Sequence, residues 1–306
     1  MYKRQRWLKL GDGIFVSTKA PAGRDGVWLL DPEDLWIRDP SWSGYGYTTT
    51  GTTTITALAA NSSAPILVSG VDTRDRGGGV SVLRTDTINA ALGQGSVSIV
   101  ATGSIDATGW EAGASYPNHY INYSGTNKLT FRAGTSITLY GSRFSLPSGT
   151  LELLAGTQIN QSGTGIAGSI YANTLILGSS DGGTNKPSVN LTTSTNYINQ
   201  VQASNLSSLS LANAQNLTVN SSGVSATGAV SLSATGNLSV NGSIATSGGD
   251  VLLKATGNLV QAASTSISTG GGDVTYWSNA GGTAGYIQLG TGVSVTTGGG
   301  DIVLGA

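Results

Sequence analysis

The stretch Val230-Ser-Leu-Ser-Ala-Thr-Gly-Asn-Leu-Ser-Val-Asn-Gly-Ser-Ile-Ala-Thr-Ser-Gly-Gly-Asp250 decides the fold. Val230, Leu232 and Ala234 alternate with serine, the period of a half-buried strand. Thr235-Gly236 makes a turn, and Asn237-Leu-Ser-Val240 reads as a second strand. Asn241-Gly242 is a second turn, Ile244-Ala-Thr246 a third strand, and Ser247-Gly-Gly-Asp250 returns the chain to its starting phase. The pattern then recurs. Leu209-Ser-Leu211, Val230-Ser-Leu232 and Val251-Leu-Leu253 fall 21 residues apart, as do Asn216-Leu217, Asn237-Leu238 and Asn258-Leu259; Gly-Gly-Asp precedes Val251, Val274 and Ile302.

A unit of about 21 residues cannot bury its own apolar face, so copies must stack and share a core. Asn-Gly between alternating runs also favours a hairpin, but a hairpin meander gains nothing from fixed spacing of similar residues. The expected architecture is therefore all-β: a right-handed parallel β-helix with three short strands per coil. Its inward set is Val230, Leu232, Ala234, Leu238, Val240 and Ile244. Working towards the N-terminus, Leu175-Ile-Leu177, Leu151-Glu-Leu153, Leu129-Thr-Phe131 and Val97-Ser-Ile99 read as earlier copies of the first strand. Longer intervals, Trp110 to Tyr123 and Ser179 to Asn190, read as inserted loops.

Composition agrees with an array. Of 306 residues 46 are Gly and 10% are charged, yet 38% are apolar, too many for a disordered chain. The net charge of −1 provides no field for nucleic acid or an anionic membrane. There is no cysteine to report on redox compartment and no apolar run long enough to span a bilayer. Residues 1–43 form a distinct segment with four of the six tryptophans (Trp7, Trp28, Trp36, Trp42), expected to cap or link into an array covering 44–306. From 187 onward the only charged residues are Asp250, Lys254, Asp273 and Asp301. The basic start Met1–Leu10 runs into Gly11-Asp-Gly13 where a signal peptide needs its apolar region, as expected of an interior slice of a longer protein.

Gly26-Val-Trp-Leu-Leu-Asp-Pro-Glu-Asp-Leu-Trp-Ile37 resembles a segment recurring in filamentous haemagglutinin-like bacterial exoproteins, and Ile88-Asn-Ala-Ala-Leu92 followed by Val97–Ile105 resembles their strand-and-turn wording. The resemblance implies a secreted passenger of a Gram-negative cell, exported by an outer-membrane transporter of a two-partner system. It would act outside the cell as an adhesin or scaffold, with a glycan or protein on a host or cell surface as partner. It implies no catalytic residues.

Each candidate residue has a functional and a structural reading. Asp31, Glu33 and Asp34 have the oxygen chemistry of a Ca²⁺ site, or start and cap a turn at Asp31-Pro32; the turn is preferred, and neither metal nor cofactor is expected. Asp250, Asp273 and Asp301 follow glycines at equivalent corners, where glycine supplies positive φ and aspartate accepts from backbone amides. Asn216, Asn237 and Asn258 are expected to form a stacked ladder along the axis. Trp28 and its apolar neighbours would cover the first coil. Trp110, Tyr116, His119, Tyr120 and Tyr123 either bind a ligand, with the aromatic rings stacking on sugars, or pin an inserted loop to the rod.

The leading expectation is a structural or adhesive module rather than an enzyme. A β-helical polysaccharide lyase or glycoside hydrolase is an alternative, and it requires paired carboxylates on one exposed face. The only compact charged group in the array is Asp72, Arg74, Asp75, Arg76 and Arg84. Ice binding is a second alternative, prompted by Thr48-Thr-Thr-Gly-Thr-Thr-Thr54.

Overall fold

A computed structural model describes residues 34–38, 66–67, 71–72, 80–93, 95–107, 120–139, 141–161, 168–192, 196–282 and 284–306. Alternating apolar and small polar residues build strands, and turns every few residues wind them into stacked coils of a β-solenoid. Parallel ladders join each strand to its equivalent one coil away. One sheet contains 12 strands and the other 14, counted among the described residues.

In the rear coils the inward residues form continuous columns. Leu209, Val230, Val251, Val274 and Ile302 are paired in succession through the first sheet. Leu217, Leu238, Leu259 and Ile287 do the same in the second. Val224, Ile244, Ile267 and Val295 form the third column. All six expected inward residues of the 230–250 coil are buried, none more than 1% exposed. Burying an aliphatic side chain of this size contributes roughly 1.5–3 kcal/mol, so stacking supplies what a single coil lacks.

The front coils correct the expected phase. Val97, Leu129, Leu151 and Leu175 pair with one another in the second sheet and lead through Val201 to Val219. They are not copies of the Leu209–Val230 strand. Its earlier members are Ile105, Ile137, Ile159 and Val189. The reason is strand length. In the front, first-sheet strands such as Ser136–Thr138 and Gln158–Asn160 each bury one apolar side chain, while the second-sheet strands Arg143–Ala155 and Ser169–Ser179 carry the long alternation. Inside one such long strand, Phe144 packs edge-on against Phe131 of the neighbouring coil, with ring centroids 5.7 Å apart.

The front end departs from simple repetition. Residues 85–92 form a helix, α1 (Thr85–Leu92), where strand-and-turn structure was expected. Ile88, Ala91 and Leu92 give it an apolar stripe at helical spacing, and all three are buried. Asn89 Oδ1 accepts the Asn122 N–H, and the Leu92 carbonyl accepts from Asn127 Nδ2, fastening α1 to the coil above. Asp34–Arg38 joins the first sheet between Ile105–Asp106 and Val80–Arg84. Val71–Asp72 then pairs antiparallel with that last strand, the only antiparallel ladder among the described residues. Trp28 and Asp31 lie outside the described residues.

Candidate functional site

The topology sorts the connections into two kinds. Those from the second sheet back to the first are short, except 180–187. Those from the first sheet to the second vary greatly: 107–119, 139–142, 161–168, 192–196, 214–216, 235–237, 256–258 and 278–286. The described strand ends that flank all of these lie at one edge of the solenoid. Its shortest members have three residues and its longest are 107–119 and 278–286. Variation collected along one edge of a regular solenoid is how repeat proteins diversify a surface.

Buried amides root this edge. Gln161 and Asn196, both fully buried, exchange reciprocal amide bonds of 2.7 and 2.9 Å. Gln161 also donates to the Gly168 carbonyl, while Asn196 donates to the carbonyls of Leu191 and Ala212 and accepts the Ile170 N–H. Asn213 accepts from Ile198 N–H and donates to the carbonyls of Ile198, Gln215 and Asn216. Alternation alone does not reveal these residues, because an amide in an inward phase reads as a break in the pattern.

From Ala234 onward the inward amide is replaced by alanine and the bonding moves outward. Asn216 Oδ1 accepts the Asn237 N–H at 2.8 Å, Asn237 Oδ1 accepts the Asn258 N–H at 2.9 Å, and Asn258 Oδ1 accepts the Tyr286 N–H at 3.3 Å. The ladder thus joins side chain to backbone. At another corner, Asp250 Oδ1 accepts the Asp273 N–H at 2.9 Å, and Asp273 Oδ1 accepts the Asp301 N–H at 2.7 Å. Thr246, Thr269 and Thr297 sit four residues before these aspartates, and each donates its hydroxyl to the carbonyl three residues on. Thr-x-Gly-Gly-Asp is therefore a corner cassette.

Of the expected ligand-binding residues, Trp110, Tyr116 and His119 lie outside the described residues. Tyr120–Asn122 is a strand paired with Arg143–Ser145, so the insertion ends before it. Tyr123 packs against the core, and its hydroxyl accepts from Asn127 Nδ2 at 2.7 Å, which pins the chain to the rod. The second expected loop is likewise shorter: Ser188–Leu191 is a first-sheet strand, leaving 180–187 as the insertion. Its geometry is self-contained. Asp181 accepts from the Ser179 hydroxyl, the Gly183 and Asn185 N–H groups and Asn185 Nδ2. These bonds, the Ser179 hydroxyl foremost, lower its carboxyl to about 2.

The outward faces carry further features that the repeat pattern did not single out. Tyr171 and Tyr197 stack with centroids 4.5 Å apart, and the Arg143 guanidinium lies 4.6 Å from the Tyr171 centroid. At the long 278–286 connection, Trp277 is 48% and Tyr286 52% exposed. Lys254 Nζ lies 5.2 Å from the Trp277 ring centroid. The sequence signal for this corner is the interval from Asn258 to Tyr286, 28 residues where the previous interval was 21.

Among the described residues, no group of three or more His, Cys, Asp or Glu is placed to hold a metal ion, and no helix is long and apolar enough to cross a membrane. Comparison of the chain with protein-family models, curated proteins and solved structures finds no match.

Proposed function

We propose that the protein is a structural, adhesive rod of a secreted or cell-surface bacterial exoprotein, akin to the filamentous haemagglutinin-like passengers that its Gly26–Ile37 segment resembles. The solenoid holds a row of variable connections at fixed spacing, and those connections meet a glycan or protein on another surface. The observation supporting this reading is the sorting of all long connections but 180–187 onto one edge, two of them rooted by the buried amides Gln161 and Asn196. A parallel ladder running coil to coil is stiff because every strand shares its hydrogen bonds with both neighbours. The resemblance supplies the expected export partner, an outer-membrane transporter.

The test is adhesion of cells or beads coated with the full chain, compared with a variant in which 107–119 is replaced by a three-residue connection such as Ala-Thr-Gly. Adhesion that falls while the circular dichroism spectrum holds supports the reading; adhesion unchanged by shortening both 107–119 and 278–286 refutes it.

Glycoside hydrolysis draws on one observation. Asp250, Asp273 and Asp301 stand in a column, at a coil spacing of about 4.8 Å, close enough for a carboxylate pair. The Oδ1 atoms of Asp250 and Asp273 are occupied by backbone N–H groups. Release of reducing sugar from polysaccharides, abolished by Asp273→Asn, would establish that reading over the first.

A further inference from the structure

Two neighbouring coils are braced at one point from both sides of the second sheet. On the inner side, the fully buried Asn196 accepts the Ile170 N–H and exchanges amide bonds with Gln161. The next residue along each strand turns outward: Tyr171 lies between the inward Ile170 and Ala172, and Tyr197 between the inward Asn196 and Ile198. Tyr171 and Tyr197 are register partners in the ladder joining Ser169–Ser179 to Tyr197–Leu206. Their rings stack with centroids 4.5 Å apart and planes 13° from parallel. Arg143, from the strand on the other side of Ser169–Ser179, sets its guanidinium 4.6 Å from the Tyr171 centroid.

These two phenols differ from others in the rod. The Tyr123 hydroxyl is engaged by Asn127, and Tyr276 is fully buried with its hydroxyl donating to Gln261 Oε1 at 2.5 Å. Tyr171 and Tyr197 are half-buried, so solvent reaches both. The chain has no cysteine, so no disulfide ties one coil to the next. A covalent tie between adjacent coils needs other side-chain chemistry. Two stacked phenols supply it, because phenoxyl radicals couple across their π faces, through carbons ortho to the oxygen.

We propose that Tyr171 and Tyr197 are a cross-linking site, joined as dityrosine by a one-electron oxidant such as a haem peroxidase supplied with hydrogen peroxide. Each phenol gives up one electron and its hydroxyl proton. The two radicals combine in a carbon–carbon bond between one Cε of each ring. Each coupled carbon then releases its hydrogen as a proton and each oxygen takes one up, so both rings become phenols again. The pair loses two electrons and two protons in all, and these reduce one hydrogen peroxide to two waters. Because the hydroxyl proton leaves with the electron, no positive charge builds up beside Arg143. The Asn196 bonds and the Arg143 guanidinium hold the rings in place, so the radicals meet without a search. Tyr171 and Tyr197 lie 26 positions apart. Closing that loop restricts the unfolded chain and stabilises the rod. The cross-link requires neither export nor adhesion.

The experiment treats the full chain with a haem peroxidase and hydrogen peroxide, and in parallel with a photoactivated ruthenium complex and persulfate, a small oxidant that reaches half-buried rings. Proteolysis and mass spectrometry then identify linked peptides. The expected result with either oxidant is a Tyr171–Tyr197 peptide pair, lighter than its two parts by two hydrogen atoms and formed in a yield independent of protein concentration. Tyr171→Phe and Tyr197→Phe should each lower dityrosine fluorescence about tenfold or more, and Tyr286→Phe should leave it unchanged. The cross-linked chain should unfold at a higher urea concentration than the untreated chain. Circular dichroism establishes that each variant is folded. Absence of the link with both oxidants, while a tyrosine-containing peptide couples in the same solutions, overturns the proposal. So does a yield that survives Tyr197→Phe in a folded protein, or linkage only between separate chains.

Discussion

The front and rear coils share one backbone ladder but turn their corners by different chemistry. In the front, between Lys128 and Leu206, second-sheet strands run 6 to 13 residues, and the connections beyond the first sheet are held by inward amides, Gln161 and Asn196. From Val230 onward, strands shorten to 2–5 residues and the corners become glycine turns. Among the described residues, eight of the eleven positive-φ glycines lie at or beyond Gly223. Where an inward amide is present, the connection can lengthen because side chains satisfy the backbone it disrupts. Beside the inward Ala234 and Ala255 the corner has three residues and the asparagine ladder lies outside, as it does beside Asn213. The comparison teaches that a buried polar side chain is one way to root a longer connection, as Gln161 and Asn196 do, whereas 107–119 starts at the buried Ala107.

The sharpest way to break the comparison is Asn196→Ala. It strands the Gln161 amide, the carbonyls of Leu191 and Ala212 and the Ile170 N–H, all in buried surroundings. A loss of about 4 kcal/mol is expected, seen as a lower urea midpoint and as fast amide exchange through 168–172. A loss below about 1 kcal/mol would mean that water replaces the amide and that the front corners are not held this way.

A second test separates two adjacent glycines in a rear corner. Gly249→Ala would place Cβ 2.1 Å from the Gly228 carbonyl carbon and 2.3 Å from the Ala229 nitrogen, so backbone must move. Gly248→Ala meets no atom within 4 Å and is opposed only by φ = 111°. Expected losses are about 3 kcal/mol for Gly249→Ala and about 1–2 kcal/mol for Gly248→Ala. The reverse order would show that turn conformation, not close stacking, limits the rear corners.

Asn237→Ala removes one rung of the outer ladder, leaving the Asn258 N–H to solvent. About 1 kcal/mol is expected, well below Asn196→Ala, and the ratio of the two measures inner against outer bonding directly.

The smallest effect is confined to 180–187. The Asp181 carboxyl is held near 2, below its unfolded value near 4, so its contribution is present above pH 4 and fades as pH falls towards 2. Amide exchange of Gly183 and Asn185 should accelerate over that window in the native protein, after correction for the intrinsic pH dependence of exchange. Asp181→Asn should flatten the change. Acceleration shared equally with 230–255 would mean that the whole rod, not the loop, is responding.

Much of the rear half was legible. Its alternation placed Val230, Leu232, Ala234, Leu238, Val240 and Ile244 inside, and the 21-residue interval stacked Leu217, Leu238 and Leu259. Similar residues at fixed spacing leave one way to share a core. The front half was legible as strands but not in phase, because apolar-x-apolar reads the same in either sheet, and only pairing distinguishes Leu151 from Ile159. Helix α1 was missed because Ile88, Ala91 and Leu92 lie outside the repeat. Trp277 and Tyr286 were missed because single aromatics carry no period.

The sequence by itself determined that the chain coils and which rear side chains face inward, since both follow from local alternation repeated at constant length. Only the tertiary structure decided which sheet each front strand joins, that the long connections other than 180–187 share one edge, and that Gln161 meets Asn196 across 35 residues. Those outcomes depend on contacts between neighbouring coils, which no single coil encodes.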